Sequence, residues 1–389
     1  MEWNVENWQR GGFGLYVHWP FCAAKCPYCD FNSHVVSAVD QDRWRAAMLR
    51  DLEYWAERTS GRVLSSIFFG GGTPSLMPPE TVAAIVAAAR TLWTPANDLE
   101  VTLEANPTSV EAERFNAFGA AGVNRFSVGL QALDDADLRR LGRLHSVAEG
   151  RHAYEVARSV TDRVSFDLIY ARQDQPAAAW ERELKEALTF AGEHLSLYQL
   201  TIEEGTAFGA RHAVGRLNGL PDEDRAVDLW HVTQELCAEA GFRRYETSNH
   251  AVPGRESRHN FIYWRGGDWI GVGPGAHGRV TIGADRSASE AHKMPQKWLA
   301  ANEDSGTGTA HVEYLQKTGV ADEYVMMGLR LDEGIDLDYV ASLSKQLDTR
   351  RVDELVEEGY LVRAPSRLIA TASGALVLNA VLAAILTET

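Results

Sequence analysis

Six short apolar runs alternate with amphipathic stretches through the first half of the chain, and this alternation limits the fold more than any other feature. The runs are LYVHW (15–19), SSIFF (65–69), LEVTLEA (99–105), RFSVGL (125–130), RVSFDLIY (163–170) and LSLYQL (195–200). The amphipathic stretches are Asp42–Arg58, Pro79–Trp93, Val110–Ala121, Asp134–Leu141, Ala148–Ser159 and Ala177–Ala191. Strands that alternate with helices form parallel sheets, and six strands are too few for a closed eight-stranded barrel. The pattern predicts an α/β fold with an open, partial barrel or a doubly wound sheet.

The pattern becomes less regular after about residue 205. Residues 222–242 predict a helix that buries Cys237, RGGDWIGVGPGAHG (265–278) predicts a glycine-rich loop, and ANEDSGTGTAH (301–311) predicts an exposed linker. From residue 320 the order is helix, helix, strand, a turn at Ala364–Arg367, strand and helix, which is typical of a winged-helix domain. We therefore expect a core over residues 1–290 and a helical, winged-helix-like domain over residues 291–389.

The charge and the apolar content limit the partners and the compartment. The chain has 54 acidic and 38 basic residues and a net charge of −16, which argues against nucleic acid and against more than transient association with a membrane. Its start does not resemble a signal peptide, and the longest apolar run, ALVLNAVLAAIL (375–386), is too short to span a bilayer. Four cysteines in this length make no disulfide framework. We expect a cytoplasmic protein, in which clustered thiols serve metal or redox chemistry.

Cys22, Cys26 and Cys29 stand within eight residues, directly after the first predicted strand. A structural zinc site usually has four ligands in two pairs, but the only other cysteine, Cys237, lies far away in the sequence. Three soft thiolates in a short loop suit a 4Fe-4S cluster that keeps one iron open to a small molecule. Zinc is the alternative.

The cysteine spacing, GGGTP (70–74) after the second strand and Glu104 in LEANP after the third strand together resemble the radical S-adenosylmethionine (SAM) superfamily. The resemblance implies a partial (β/α)6 radical SAM barrel. It also implies that SAM binds the open iron and is cleaved by one electron from the cluster, which a donor such as flavodoxin or ferredoxin supplies.

A finer resemblance concerns one branch of that superfamily. LYVHWPFC, FFGGGTPSL, LEANP, RFSVGLQALDD, LGRLH, FDLIY and SLYQL occur in the order found in the oxygen-independent coproporphyrinogen III oxidases and the HemW-type haem chaperones. The residues that this resemblance places around SAM are Tyr16, Tyr28, Gly71, Gly72, Thr73, Glu104, Gln131, Arg143 and Asp167. For any one of them alone, a polar residue that caps a helix at a strand end is an equally good interpretation.

Two departures from the oxidases favour the chaperones. The oxidases have a further cysteine two positions after the third, where this chain has Phe31. They also have an N-terminal extension that closes over the site, whereas only 21 residues precede Cys22 here. We therefore expect a chaperone that binds haem as cargo and delivers it to a haem-requiring acceptor protein. The alternative is an oxidase that decarboxylates coproporphyrinogen III to protoporphyrinogen IX, so whether the chain is an enzyme stays open.

HNFIYW (259–264) matches a His-Asn-x-x-Tyr-Trp stretch of the chaperones. His259 is therefore the candidate axial ligand of the haem iron, beside aromatic rings that can cover a porphyrin face. A core histidine with aromatic neighbours is the alternative interpretation. His18, His145 and His277 are rival ligands near the predicted mouth of the sheet.

Overall fold

A long mixed sheet with helices packed against it forms most of the structure. The computed structural model describes residues 6–36, 38–108 and 114–386. The strands are β1 (Phe13–Trp19), β2 (Phe21–Cys22), β3 (His34–Val35), β4 (Val63–Gly71), β5 (Thr94–Ala105), β6 (Arg125–Gln131), β7 (Val164–Tyr170), β8 (His194–Gln199), β9 (Arg243–Arg244), β10 (Asn249–Ala251), β11 (Asp268–Val272), β12 (His277–Ile282), β13 (Asp285–Ala291), β14 (Thr309–Leu315), β15 (Ile335–Asp336), β16 (Leu361–Arg363) and β17 (Arg367–Ala370). The α-helices are α1 (Asn7–Gly11), α2 (Gln41–Arg58), α3 (Pro79–Leu92), α4 (Phe115–Ala120), α5 (Asp135–Arg140), α6 (Val147–Val160), α7 (Ala177–Phe190), α8 (Ala207–Ala213), α9 (Glu223–Glu239), α10 (Arg258–Trp264), α11 (Pro295–Ser305), α12 (Lys317–Gly328), α13 (Leu337–Ser342), α14 (Thr349–Glu357), α15 (Ala372–Leu376) and α16 (Leu378–Ile385).

The six predicted strands are confirmed as one parallel array. Strands β1, β4, β5, β6, β7 and β8 lie side by side in that order, and each neighbouring pair is parallel. Beyond β8 the sheet continues with the antiparallel strand β10, so the array stays open. The fold is therefore α/β with a partial barrel. Its strands are apolar along their length because helices cover the sheet.

The predicted helices between these strands are also present. Their ends lie within two residues of the predicted ends in α2, α3, α5, α6 and α7. The stretch Val110–Ala121 begins in residues that lie outside the described part of the chain, and α4 forms its second half. Cys237 is 1% exposed on α9, as predicted.

An aromatic cluster fixes the end of β1 and the start of the cysteine loop. Trp19 and Phe21 contact each other edge to face with ring centroids 5.1 Å apart, and Phe21 contacts Trp44 of α2 at the same distance. Trp44 stacks on Trp298 of α11 at 5.4 Å. Aromatic pairs contribute about 0.5–1.5 kcal/mol beyond their buried area. The cluster therefore holds the chain rigidly where the cysteines begin.

Two predictions of loops are wrong, because both stretches contain regular secondary structure. The stretch RGGDWIGVGPGAHG contains β11, which is fully buried and pairs in parallel with β1, and the first residues of β12. Its polar first residue, Asp268, forms buried ion pairs with Arg62 and Arg286, an arrangement that local composition does not reveal. In ANEDSGTGTAH, α11 runs to Ser305 and β14 begins at Thr309, with Gly306 as the left-handed cap of the helix.

The C-terminal part has its own core and the predicted winged-helix-like order. Helices α12 to α16 surround a three-stranded sheet in the order β15, β17, β16. The turn is closed by the Ala364 N–H, which donates to the Arg367 carbonyl at 2.9 Å. The division at residue 290 stays a prediction, since α11 and β14 pack with the large sheet and the second apolar core starts in α12. Within the described ranges, no helix combines the length and the apolar character that crossing a membrane requires.

Candidate functional site

A cavity of about 360 Å³ opens at the carboxyl ends of the parallel strands. This edge is where open α/β sheets bind their ligands. Eleven residues that the sequence placed at the cluster and at SAM line this cavity: Cys22, Cys26, Tyr28, Cys29, Gly71, Gly72, Thr73, Glu104, Gln131, Arg143 and Asp167. The fold thus brings together side chains from positions 22 to 167 of the chain.

The cysteine loop is attached to the glycine turn by backbone hydrogen bonds. Cys22 ends β2, which pairs in parallel with β3 on the far side of the loop. The Gly72 N–H donates to the Trp19 carbonyl at 2.7 Å, and the Thr73 N–H donates to the Phe21 carbonyl at 2.9 Å. These two bonds fix the position of the first cysteine against the end of β4.

A chain of side-chain hydrogen bonds links two of the cysteines around the cavity wall. Thr73 Oγ1 donates to Cys22 Sγ at 3.4 Å and accepts from Asn106 Nδ2 at 2.9 Å. Arg143 donates to Asn106 Oδ1 at 2.7 Å and to Cys26 Sγ at 3.4 Å. Asn106 was missed in the sequence, although its position in LEANP, two residues after Glu104, was the available signal.

The cysteines have the chemistry that a cluster needs. All three are partly exposed to the cavity. Burial raises the pKa of the Cys22 and Cys29 thiols, so iron has to displace their protons, and the Arg143 guanidinium offsets part of this effect at Cys22. Among the residues that the structure describes, no three Cys, His, Asp or Glu side chains are arranged for a single metal ion.

Two carboxylates, those of Glu104 and Asp167, also line the cavity. Asp167 accepts a hydrogen bond from Ser127 Oγ at 3.3 Å, and burial raises its pKa to about 6. Burial, followed by repulsion from Asp167, raises the pKa of Glu104 to about 8. A cationic ligand that binds between these groups would favour their charged forms. The arrangement therefore suits a ligand with positively charged atoms.

Gln131 reaches the cavity through an irregular strand end. It has a left-handed φ of 71°, and the register between β6 and β7 shifts between Val128 and Gln131. Such a bulge re-aims a side chain, and here it brings the Gln131 amide to the Asp167 carboxylate. Backbone strain of this kind persists where the surrounding structure holds it.

The glycines of the turn are needed by the packing itself. Gly71 has a φ of 111°, and a Cβ there would lie 2.6 Å from the His18 ring. A Cβ on Gly72 would lie 2.8 Å from the Phe21 carbonyl oxygen. The turn can therefore approach both the loop and a ligand only with glycine at these positions.

Residues 16–175 match the radical SAM superfamily. The chain is 39% identical to the mouse protein named radical S-adenosyl methionine domain-containing protein 1, mitochondrial, over 96% of this chain and 87% of that one. It is 36% identical to the heme chaperone HemW of Escherichia coli, over 96% of this chain and 98% of that one. The chain belongs to the radical SAM superfamily, in the branch of HemW.

A solved structure agrees in fold. The coproporphyrinogen III oxidase HemN of E. coli, described as a radical SAM enzyme, superposes with a TM-score of 0.80 over 96% of this chain and 89% of that one, at 20% identity. Membership of the superfamily implies a 4Fe-4S cluster and SAM. The cavity is lined by three thiols and two carboxylates, which fit these groups.

Tyr16 does not line the cavity within the described part of the chain, unlike the other residues expected around SAM. Its hydroxyl is 3.1 Å from His18 Nδ1, and its ring packs against those of Phe68 and His259, which also stack on each other with ring centroids 5.0 Å apart. His18 Nε2 in turn lies 2.9 Å from the Asn32 carbonyl oxygen. Tyr16 is thus held by buried rings outside the cavity lining, and its contact with SAM stays a prediction.

His259 lies in the core, with an exposed fraction of 1%. Its Nδ1 is 2.7 Å from Ser66 Oγ and its Nε2 is 2.7 Å from the Tyr263 hydroxyl. Burial lowers the pKa of the ring to about 3. Both nitrogens are occupied in this conformation, so the geometry favours the alternative of a core histidine, and iron ligation by His259 stays a prediction.

The rival histidines differ in access. His18 and His145 are buried, and the Nε2 atoms of both rings lie within 3.1 Å of a backbone carbonyl. The side chain of His277 is 49% exposed and stands 3.8 Å from Glu290. Of these three imidazoles, His277 is the one whose side chain is exposed to solvent.

The raised pKa of Glu104 predicts how stability depends on pH. Because the folded state holds this proton more tightly than the unfolded chain, the stabilisation is complete below about pH 4.5 and is lost as the pH rises through about 8. Glu104→Gln removes this pH-dependent loss of stability, because glutamine does not ionise. In the metal-free protein, the thermal midpoint of Glu104→Gln minus that of wild type should therefore increase between pH 5 and pH 9.

The matched control is Glu203→Gln, which changes an exposed carboxylate at the cavity rim. The thermal midpoint of this control minus that of wild type should stay constant between pH 5 and pH 9. A constant difference for Glu104→Gln as well would show that the Glu104 carboxyl is not held protonated by the fold.

Proposed function

We propose that this chain is a haem chaperone that binds haem and passes it to a haem-requiring acceptor protein. The observation that carries the proposal is Phe31, a residue that lines the cavity and is 58% exposed, at the position where the oxidases have a further cysteine. An exposed apolar ring supplies no thiol. The E. coli and Haemophilus influenzae relatives named heme chaperone HemW, which align over nearly their whole length, support the same choice.

The cluster would be held by Cys22, Cys26 and Cys29, and exchangeable SAM would lie beside it in the cavity. When bound, SAM and the cluster supply one-electron chemistry. The carboxylates of Glu104 and Asp167 suit the positively charged groups and hydroxyls of SAM, as the guanidinium of Arg143 suits its carboxylate. The remaining wall is formed by Tyr28, Gly71, Gly72, Thr73 and Gln131.

The proposal also includes a protein that accepts the haem, a protein that donates electrons to the cluster, and a cytoplasmic location. Delivery of haem requires an acceptor whose identity follows from neither the cavity nor the relatives. The cytoplasm stays a prediction, because the bacterial relatives are named without a compartment and the mouse relative is named mitochondrial.

The ligand set predicts the effect of cysteine substitutions. Serine at position 22, 26 or 29 should abolish the 4Fe-4S cluster after anaerobic reconstitution, because a hydroxyl is a poor substitute for a thiolate. Cys237→Ser is the matched control, since Cys237 is buried in α9 away from the cavity. Iron and sulfide content and visible absorption measure the outcome. A Cys26→Ser protein with a full cluster, or a Cys237→Ser protein without one, would make the assignment wrong.

Haem binding and oxidase turnover separate the proposed function from its alternative. The reconstituted wild type should bind haem in an absorption titration and should not decarboxylate coproporphyrinogen III in the presence of SAM and a reductant. Protoporphyrinogen formation, followed as its oxidised fluorescent product, would overturn the proposal in favour of an oxidase.

The same titration tests the histidines. His259→Ala should lower the thermal midpoint, because it leaves the Ser66 and Tyr263 hydroxyls without their partner, while the folded protein keeps its affinity for haem. His277→Ala removes the accessible imidazole and should lower the affinity without lowering the midpoint. Loss of haem affinity in His259→Ala alone would restore His259 as the ligand and would require α10 to open.

A further inference from the structure

The cysteine loop also borders a second depression, next to the cavity. Lys25, Cys26 and Cys29 line both the cavity and this open depression, which has a volume of about 610 Å³. The walls of this depression come from the end of α5 and from the segment that leads into α8. Its lining is completed by Pro27, Arg139, Arg140, Gly142, Gly205, Thr206, Ala207 and Arg211. Solvent therefore reaches the loop from this depression as well as from the cavity.

The depression is positively charged in a chain that is strongly negative. Lys25, Arg139, Arg140 and Arg211 line it and are exposed, and no carboxylate is among the described residues of its lining. Arg140 lies 3.8 Å from both Asp137 and Asp174, so its charge is partly balanced. Within the described ranges, Lys25, Arg139 and Arg211 form no ion pair. Their charge is therefore available to a partner.

Helix geometry explains only part of this cluster. Arg139, Arg140 and Arg211 occupy the last turns of α5 and α8, where a basic residue favours the helix dipole. The helix dipole does not explain why basic residues of two different helices line the same depression. It also does not account for Lys25, which lies in the cysteine loop itself. Exposed acidic residues adjoin the cluster at Asp30, Glu203 and Glu204, outside the depression.

We infer that this depression is the docking surface for an acidic one-electron carrier protein. The inference rests on the proposed function, since it assumes a cluster on Cys26 and Cys29. The carrier loses one electron and the cluster gains it, with no bond formed to the protein. Electron transfer requires that the carrier approach the cluster closely. Because SAM would fill the cavity, the carrier would approach through the basic depression. Redox encounters use small, charge-complementary surfaces.

Charge reversal on the reconstituted full chain tests this surface. The variant Arg139→Glu/Arg211→Glu changes the two unpaired charges that line the depression and not the cavity. The control Arg182→Glu/Arg225→Glu changes the net charge equally at exposed positions elsewhere. The probe is a bacterial flavodoxin, with its Kd measured at low and high salt and its rate of cluster reduction measured by stopped flow. Electrostatic steering changes association rates by about 10–1000-fold.

Wild type and control should bind flavodoxin alike at low salt and lose affinity at high salt. The reversal variant should bind about tenfold or more weakly at low salt, and flavodoxin should reduce its cluster more slowly by a similar factor. Dithionite, which needs no docking surface, should reduce all three proteins equally. A reversal variant that matches wild type in both affinity and rate would overturn the inference.

The two proposals fail in different ways. Haem titrations on the same three preparations should agree, because the basic depression takes no part in haem binding. Absence of haem binding in wild type would refute the chaperone and leave the docking result intact. Weaker haem binding in the reversal variant, with unchanged flavodoxin affinity, would reassign the basic cluster to haem and overturn the inference.

Discussion

The hydrogen bonds from the Gly72 and Thr73 N–H groups to the carbonyls of Trp19 and Phe21 hold the cysteine loop against the glycine turn, and the site depends on them. They align two segments about fifty residues apart, and each segment is fixed in turn by its own strand. The aromatic cluster around Trp44 clamps the loop's first residues from one side. The chain from Thr73 through Asn106 to Arg143 holds Cys26 from the other.

One cation and two carboxyls determine the electrostatics of the cavity. The Arg143 guanidinium donates to Cys26 Sγ and also attracts the Asp167 carboxylate. Burial raises the pKa of Glu104 to about 8 and that of Asp167 to about 6, so both carboxyls resist ionisation in the free protein. A molecule with a carboxylate and positively charged groups, such as SAM, would pair with the guanidinium and favour the ionised carboxyls.

The strands that position the site could be predicted because each is apolar along its length and is followed by an amphipathic helix. Strand β11 could not be predicted. Its glycines suggest a loop, and its first residue, Asp268, can be buried in a strand only because it forms ion pairs with Arg62 and Arg286, which are distant in the sequence. The residues lining the cavity were predictable from motifs at strand ends. The position of Tyr16 outside the cavity lining was not, because it depends on the depth of the cavity: Tyr16 pairs with Phe68, which pairs with Thr102, so it shares a face with Glu104 but lies further from the strand ends. The two hydrogen bonds of His259 depend on Ser66, 193 positions away, and no local pattern indicates them.

The central claim is that three cysteines hold a cluster whose remaining iron faces this cavity and binds SAM. Electron–nuclear double resonance on the reduced, reconstituted protein with SAM labelled with ¹⁵N at its amine and ¹⁷O at its carboxylate tests it directly. Both labels should show hyperfine coupling to the cluster, because the open iron binds the amine and the carboxylate of SAM. A reduced 4Fe-4S signal with no coupling to either label, at a SAM concentration that saturates binding, would contradict it.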